Sequence, residues 1–129
     1  MVSLNRYNKK AIRCKAMDFS SEAARLNGMV DAAIEEMRKV EDQVNASYSG
    51  RPVPPSKVGA KLSPMAQRTM ATIGQEMQSL AAKVTSIADA NKLAQAFGFA
   101  DRSGGVAGIL KKVRMKLEGR IGAFVRPYA

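Results

Sequence analysis

The sequence predicts an all-α protein: a long antiparallel helical hairpin, a shorter third helix and an extended basic arm at the amino end. Two observations predict this class. Apolar residues recur in alternating steps of four and three along three stretches, a heptad pattern typical of helices that pack along a narrow seam. Segments rich in Gly and Pro, which interrupt helices, separate the second and third stretches from what precedes them. We expect residues 1–17 to form the arm and residues 18–129 a single helical domain.

The arm carries five bases and no acid. These bases are Arg6, Lys9, Lys10, Arg13 and Lys15. Ile12, Cys14 and Ala16 alternate with other residues at a period near two, which favours a short strand that would have to pair with another edge. A flexible basic tail is the alternative, and the sequence leaves both open.

The first predicted helix covers residues 20–47. Asp18 or Ser20 can cap its amino end, and Glu22 suits the positive end of the helix dipole. Its seam consists of Leu26, Val30, Ala33, Met37, Val40 and Val44. Acids flank this seam, and residues 18–48 hold seven acids and three bases. We interpret the acids as a solvated face, since nothing in their spacing marks a metal site.

A proline-rich crossover is expected over residues 48–62. Pro52, Pro54 and Pro55 favour extended, polyproline-like backbone. Gly50 suits the end of the preceding helix. A semi-rigid connection is the simpler interpretation, and a ligand for an aromatic groove is the alternative.

The second predicted helix runs from residue 64 to about 96. Ser63 is a good cap and Pro64 a favoured first helical residue. Its heptad pattern is the longest in the chain and continues from Ala66 to Asn91. The residues predicted to form a packing or oligomer seam are Met70, Ile73, Met77, Leu80, Val84 and Ile87.

The third predicted helix covers residues 105–124, after Gly104 and Gly105 and before Pro127. Its apolar seam is Val106, Leu110, Val113, Leu117, Ile121 and Phe124. Its other faces carry five bases, which together with those of the arm are candidate contacts to a polyanion. They are Lys111, Lys112, Arg114, Lys116 and Arg120.

Composition argues against an enzyme. The chain has no His and one Cys, so it lacks the residues for a Ser-His-Asp triad, a Cys–His pair or a His- or Cys-based zinc site. Gly104-Gly105 is followed by no Lys-Ser/Thr pair, as a phosphate-binding loop would require. Bases beside Cys14 would lower its thiol pKa, but no partner residue accompanies it. We expect no catalytic residue, metal or cofactor.

The sequence favours a non-enzymatic structural or assembly subunit of a large complex, such as a phage virion (capsid, neck or tail) or a secretion or injection machine. Two narrow seams bury little apolar surface, and a chain with so small a core gains stability from neighbours. We therefore expect a homo-oligomer or other structural proteins as partners. The net charge of +10 also permits an acidic protein surface or a nucleic-acid backbone as partner. The alternative function is therefore a small basic protein that binds nucleic acid without sequence specificity: an internal virion protein, a nucleoid-type protein or a subunit of an RNA-guided complex.

The expected location is the virion or the cytoplasm. No apolar run after the arm resembles a secretory signal. No stretch is apolar for the roughly 18 residues that a membrane helix needs, so the sequence argues against membrane association.

Overall fold

The computed structural model describes residues 18–129, which form four α-helices. These are α1 (Ser20–Ser47), α2 (Pro55–Lys83), α3 (Ile87–Ala96) and α4 (Gly105–Val125), followed by a 3-10 turn at Arg126–Tyr128. No strand occurs in this part of the chain, and the predicted all-α class is confirmed. The predicted arm, with its strand or tail, lies outside the described residues.

The bounds of α1 agree with the prediction. The residue before it, Phe19, has a left-handed backbone (φ 60°) and a buried ring. The Asp18 carboxylate accepts the Ser20 N–H at 2.9 Å, which satisfies one of the free donors at the amino end. Leu26 and Met37 are fully buried, as their seam positions predict.

The predicted start of the second helix at Ser63–Pro64 is wrong, and so is the crossover as far as residue 62. Helix α2 begins at Pro55, with Pro54 in extended backbone before it. Proline is favoured at a first helical position because its fixed φ suits the helix and its missing N–H would be unpaired there anyway. Pro64 lies inside α2 and removes one hydrogen bond. Burial of Val58 and Leu62 in the two added turns offsets that loss.

The predicted continuous helix to residue 96 is also wrong, because α2 ends at Lys83. Val84 leaves helical geometry (φ −102°, ψ 88°) and Ser86 caps α3 by accepting the Asp89 N–H at 3.1 Å. The buried Asp89 carboxylate accepts the backbone N–H and the hydroxyl of Thr85, both at 3.3 Å. These two contacts cap the start of α3 and hold the turn that follows α2.

Helix α4 is the centre of the fold and contacts α1, α2 and α3. Its fully buried residues are Ile109, Val113, Leu117 and Ile121. They are spaced by four, so the buried strip winds around the helix and meets three neighbours instead of one. The alternating seam predicted for this helix is therefore corrected: Val106, Leu110 and Phe124 are only half-buried.

One hydrophobic core is shared by all four helices. Helices α1 and α2 run in opposite directions within it: Glu22 pairs with Lys83 at 3.3 Å, and Arg25 with Glu76 at 2.8 Å. The structure therefore has four helices where three were predicted, while α1 and α2 are antiparallel. The thin hairpin core from which an oligomer was expected is therefore absent, and the oligomer stays a prediction that needs other support.

Candidate interaction surfaces

The bases of α4 lie close to internal partners. Lys112 pairs with the Asp101 carboxylate at 3.1 Å and donates to the backbone carbonyls of Asp101 and Ser103. It thereby holds the loop between α3 and α4. Hydrogen bonds from Ser103 and then Lys112 lower the pKa of Asp101 to about 2.

Lys116 holds the end of α3. Its ammonium donates to the Phe97 carbonyl at 2.9 Å and lies 5.3 Å from the centre of the Phe99 ring. The rings of Phe97 and Phe99 stack with centroids 6.2 Å apart. The cation thus satisfies a carbonyl at a helix end and contacts an aromatic face at the same time.

Two further bases of α4 form ion pairs. Arg114 pairs with Glu118 one turn later in the same helix, and Arg120 pairs with Asp31 of α1. Lys111 is exposed and has no ion-pair partner within residues 18–129. Four of the five predicted polyanion contacts in this helix therefore have intramolecular partners, and the five predicted contacts in the arm lie outside the described residues.

The predicted packing seam divides at the end of α2. Ile73, Met77, Leu80 and Val84 are buried in the core of the chain itself. Met70 is half-buried, whereas Ile87 is 55% exposed. Among residues 18–129 the buried seam therefore stops at Val84, and Ile87 lies exposed beyond it.

One strip of the α2 surface, which lies between the buried seam and the exposed Lys61 and Arg68, is free of charge over six turns. We call this set the outer face of α2: Ala60, Ser63, Pro64, Gln67, Ala71, Gly74, Gln75, Gln78, Ala81 and Ala82. All are exposed except Gly74, which is half-buried. Seven of them repeat the steps of four and three in a second register, which is the pattern of a second packing seam. Sequence reasoning missed this face because its residues are small or neutral and not strongly apolar.

An open cleft of about 520 Å³ adjoins one end of the outer face. Ser63 and Gln67 belong to both the face and the cleft. The full lining is Gly59, Ser63, Ala66, Gln67, Met70, Val125, Tyr128 and Ala129. The cleft is therefore lined mainly by apolar and small groups from α2 and from the chain that follows α4.

Tyr128 fixes the far wall of this cleft. Its phenol donates to the Glu41 carboxylate of α1, and this hydrogen bond raises the pKa of Tyr128. Its backbone carbonyl lies against Gly59, where a Cβ atom would collide with it. Gly59 thus allows the 3-10 turn to approach α2 closely, and Glu41 anchors that turn from the other side.

The acidic side chains and the helices of residues 18–129 were also compared with the requirements of a metal site and of a membrane span. Among residues 18–129, no group of three or more Asp, Glu or Cys side chains lies close enough together to hold a metal ion. Glu35 and Glu36 pair with Arg38 and Lys39 on the exposed side of α1. None of the four helices combines the length and the apolar character needed to cross a bilayer.

No protein family, curated protein or solved structure matches the chain.

Proposed function

We propose that this protein is a non-enzymatic assembly subunit that binds another subunit along the outer face of α2. The observation that carries the proposal is the absence of charge on that face. Charged residues make up 25% of the chain, yet none belongs to these ten outward positions. Surfaces that contact only water commonly carry charged residues, whereas the centre of a protein–protein interface is depleted in charged residues.

The spacing of the face supports a helix as the bound element. Residues that repeat by four and three lie in a line along a helix and can receive the side chains of a second helix. Alanine and glycine at these positions permit close approach of the two backbones. The cleft beside Ser63 and Gln67 adds room for a larger apolar side chain at one end of the contact.

The setting is a large multi-subunit complex, of which a phage virion or a secretion or injection machine is the type we favour. The partner is another copy of the chain or a second structural protein. The basic arm can attach to an acidic neighbour, since opposite charges attract across an interface. Because four of the five α4 bases have internal partners, the arm is the region of the chain best supplied with bases for such a contact.

The test is a pair of matched substitutions. Ala71→Lys places a charge at the middle of the outer face, and Ala32→Lys places the same charge on an exposed position of α1. Light scattering should give an assembled mass for wild type and Ala32→Lys and a lower mass for Ala71→Lys. Circular dichroism should be the same for all three. Where the wild type assembles, equal masses for the two variants would refute the role of the outer face in that assembly.

The alternative function, binding to a nucleic-acid backbone, has its own support. The chain carries a net charge of +10, and Lys57, Lys61 and Arg68 of α2 have no ion-pair partner within residues 18–129. Backbone binding weakens steeply with salt because bound counterions are released. Purification with and without nuclease and high salt separates the two functions. Nucleic acid that co-purifies and leaves at high salt favours the alternative, whereas a salt-resistant assembly free of nucleic acid favours the assembly subunit.

A further inference from the structure

We propose that three bases in the first half of α2 bind the sugar–phosphate backbone of a nucleic acid. We call this set the basic line of α2: Lys57, Lys61 and Arg68. The inference rests on the alternative function given above, binding to a nucleic-acid backbone, and it names the surface that does the binding. It is supported by the alignment of the three bases, by their lack of acidic partners, by their cost to the helix and by the side chains exposed elsewhere.

The three bases lie in a row along the helix. Their steps of four and seven residues place them within about 40° of one another around the helix axis and spread them over about 16 Å along it. One strand of duplex DNA carries a phosphate about every 3.4 Å along the duplex axis. A straight row of cations therefore faces a row of phosphates, and ammonium and guanidinium groups bind phosphate through charge-assisted hydrogen bonds.

The basic line lies in a stretch of the chain without acids. Residues 43–75 hold four bases and no Asp or Glu. The fourth base, Arg51, donates to the Tyr48 carbonyl at 3.1 Å and lies 5.8 Å from the centre of the Tyr48 ring. The three bases of the line are exposed and have no ion-pair partner within residues 18–129, whereas all three bases of α1 form ion pairs.

Acids close to the basic line are paired with other bases. Glu36 of α1 lines the same groove as Arg68, but its carboxylate pairs with Lys39 at 3.2 Å. Glu76, the first acid that follows the line in the sequence, pairs with Arg25 at 2.8 Å. The positive charge of the line therefore remains available to an anion outside the chain.

The positions of these bases do not favour the helix itself. Lys57 lies in the first turn of α2, at the positive end of the helix dipole, where the first turns of α1 and α3 each carry an acid instead. Lys57 and Lys61 are four residues apart, so their like charges repel across one turn. The helix would be more stable without charge at these positions, which indicates that the charge serves a contact outside the fold.

The exposed apolar side chains favour nucleic acid over a membrane surface. A basic helix that lies on a bilayer also buries large apolar side chains among the lipids. The two large apolar residues that are exposed within residues 18–129 are Ile87 and Met115, which belong to α3 and α4 and not to the half of α2 that carries the line. A phosphate backbone requires no apolar contact, so the surface described here suits it.

The test is the salt dependence of binding between the full chain and a short duplex DNA of mixed sequence, measured by fluorescence anisotropy. In the line variant, Lys57→Gln, Lys61→Gln and Arg68→Gln are combined. The slope of log affinity against log salt should become shallower by about 3, because each lost phosphate contact removes about 0.9 from it. The affinity at about 0.1 M salt should fall more than about tenfold. A duplex of unrelated sequence should give the same values, since backbone contacts carry no sequence information.

The matched control removes three other exposed bases that have no ion-pair partner within residues 18–129. They are Lys92 of α3, Arg102 in the loop after it and Lys111 of α4. Replacing these three with Gln lowers the net charge by the same amount and should leave the slope nearly unchanged. Lys57→Arg combined with Lys61→Arg keeps the charge of the line and should bind as wild type does. Circular dichroism should be the same for every variant.

The outcomes separate this inference from the alternative function on which it rests. Equal losses in the line variant and the control would overturn the inference, because binding would then follow net charge and not one surface. Unchanged binding in both, with a loss when the five bases of the arm are replaced, would also overturn it and keep the alternative function. Tighter binding of wild type to poly-glutamate or to anionic lipid vesicles than to the duplex would assign the line to another partner and overturn it. No binding of wild type to the duplex at low salt would mean that the alternative function itself has failed.

Discussion

Helices α4 and α2 differ in where their charged side chains lie. Four of the five bases on the middle of α4 meet a carboxylate, a carbonyl or an aromatic ring of the same chain, so its charged surface is largely part of the fold. None of the ten residues of the outer face of α2 is charged, and none forms an ion pair or a side-chain hydrogen bond within residues 18–129. A basic helix can thus be a structural centre, while a helix with a neutral face keeps that face available for another molecule.

The strongest test of α4 as the centre of the fold is truncation of a buried residue. Leu117 is fully buried, and Leu117→Ala should lower the free energy of unfolding by about 2–5 kcal/mol through lost burial and a cavity. Met115, two residues earlier, is 61% exposed, and Met115→Ala should change it by less than about 0.5 kcal/mol. Denaturant unfolding of the two variants measures the difference. Similar losses would show that α4 is not buried on the side described.

A smaller effect distinguishes structural bases from free ones. Lys116→Met should cost about 1 kcal/mol of unfolding free energy, because the Phe97 carbonyl and the Phe99 ring lose their cation. Lys111→Met removes the same charge from an exposed site and should cost almost nothing.

Nucleic-acid affinity, measured for the same two variants, refines that comparison. If α4 served as a polyanion surface, both variants would weaken binding equally. That result would show that the bases of α4 serve as a binding surface and not as part of the fold.

The smallest effect concerns the wall of the cleft and depends on pH. The hydrogen bond to Glu41 raises the pKa of Tyr128 above its unfolded value near 10. The phenol therefore contributes stability below that pH and loses the contribution as pH rises through the folded-state pKa. Unfolding of wild type and Tyr128→Phe should differ at pH 8, and the difference should shrink toward pH 11. A constant difference would mean that the phenol does not titrate against Glu41.

Several elements could be predicted from the sequence because their signals are local. The capping signal at Asp18 or Ser20 and the glycine at Gly50 indicate the bounds of the first helix, and Gly104-Gly105 and Pro127 limit the last helix to within one residue of its observed ends. The break after Lys83 also has a local signal, since Ser86 and Asp89 stand three residues apart as in a capping box. The longer heptad pattern outweighed that signal, although a pattern of apolar residues does not require one continuous helix.

The rest depends on contacts between distant residues. Ser63–Pro64 and Pro54–Pro55 are both plausible helix starts, and the burial of Val58 and Leu62 against other helices decides between them. The buried role of Ile109 follows from α4 having three neighbours, which its own sequence does not specify. The partners of Lys116 and Arg120 are 19 and 89 residues away, so neither pairing can be inferred from local spacing.

The central position of α4 also bears on synthesis of the chain. Translation delivers α1, α2 and α3 before α4. The apolar surfaces of the first three helices that α4 covers therefore stay exposed until α4 has been synthesised. Such exposed surface favours aggregation and chaperone binding in a nascent chain. Folding of this protein is therefore expected to complete after α4 leaves the ribosome, and a stall before residue 105 would leave a chain without its core.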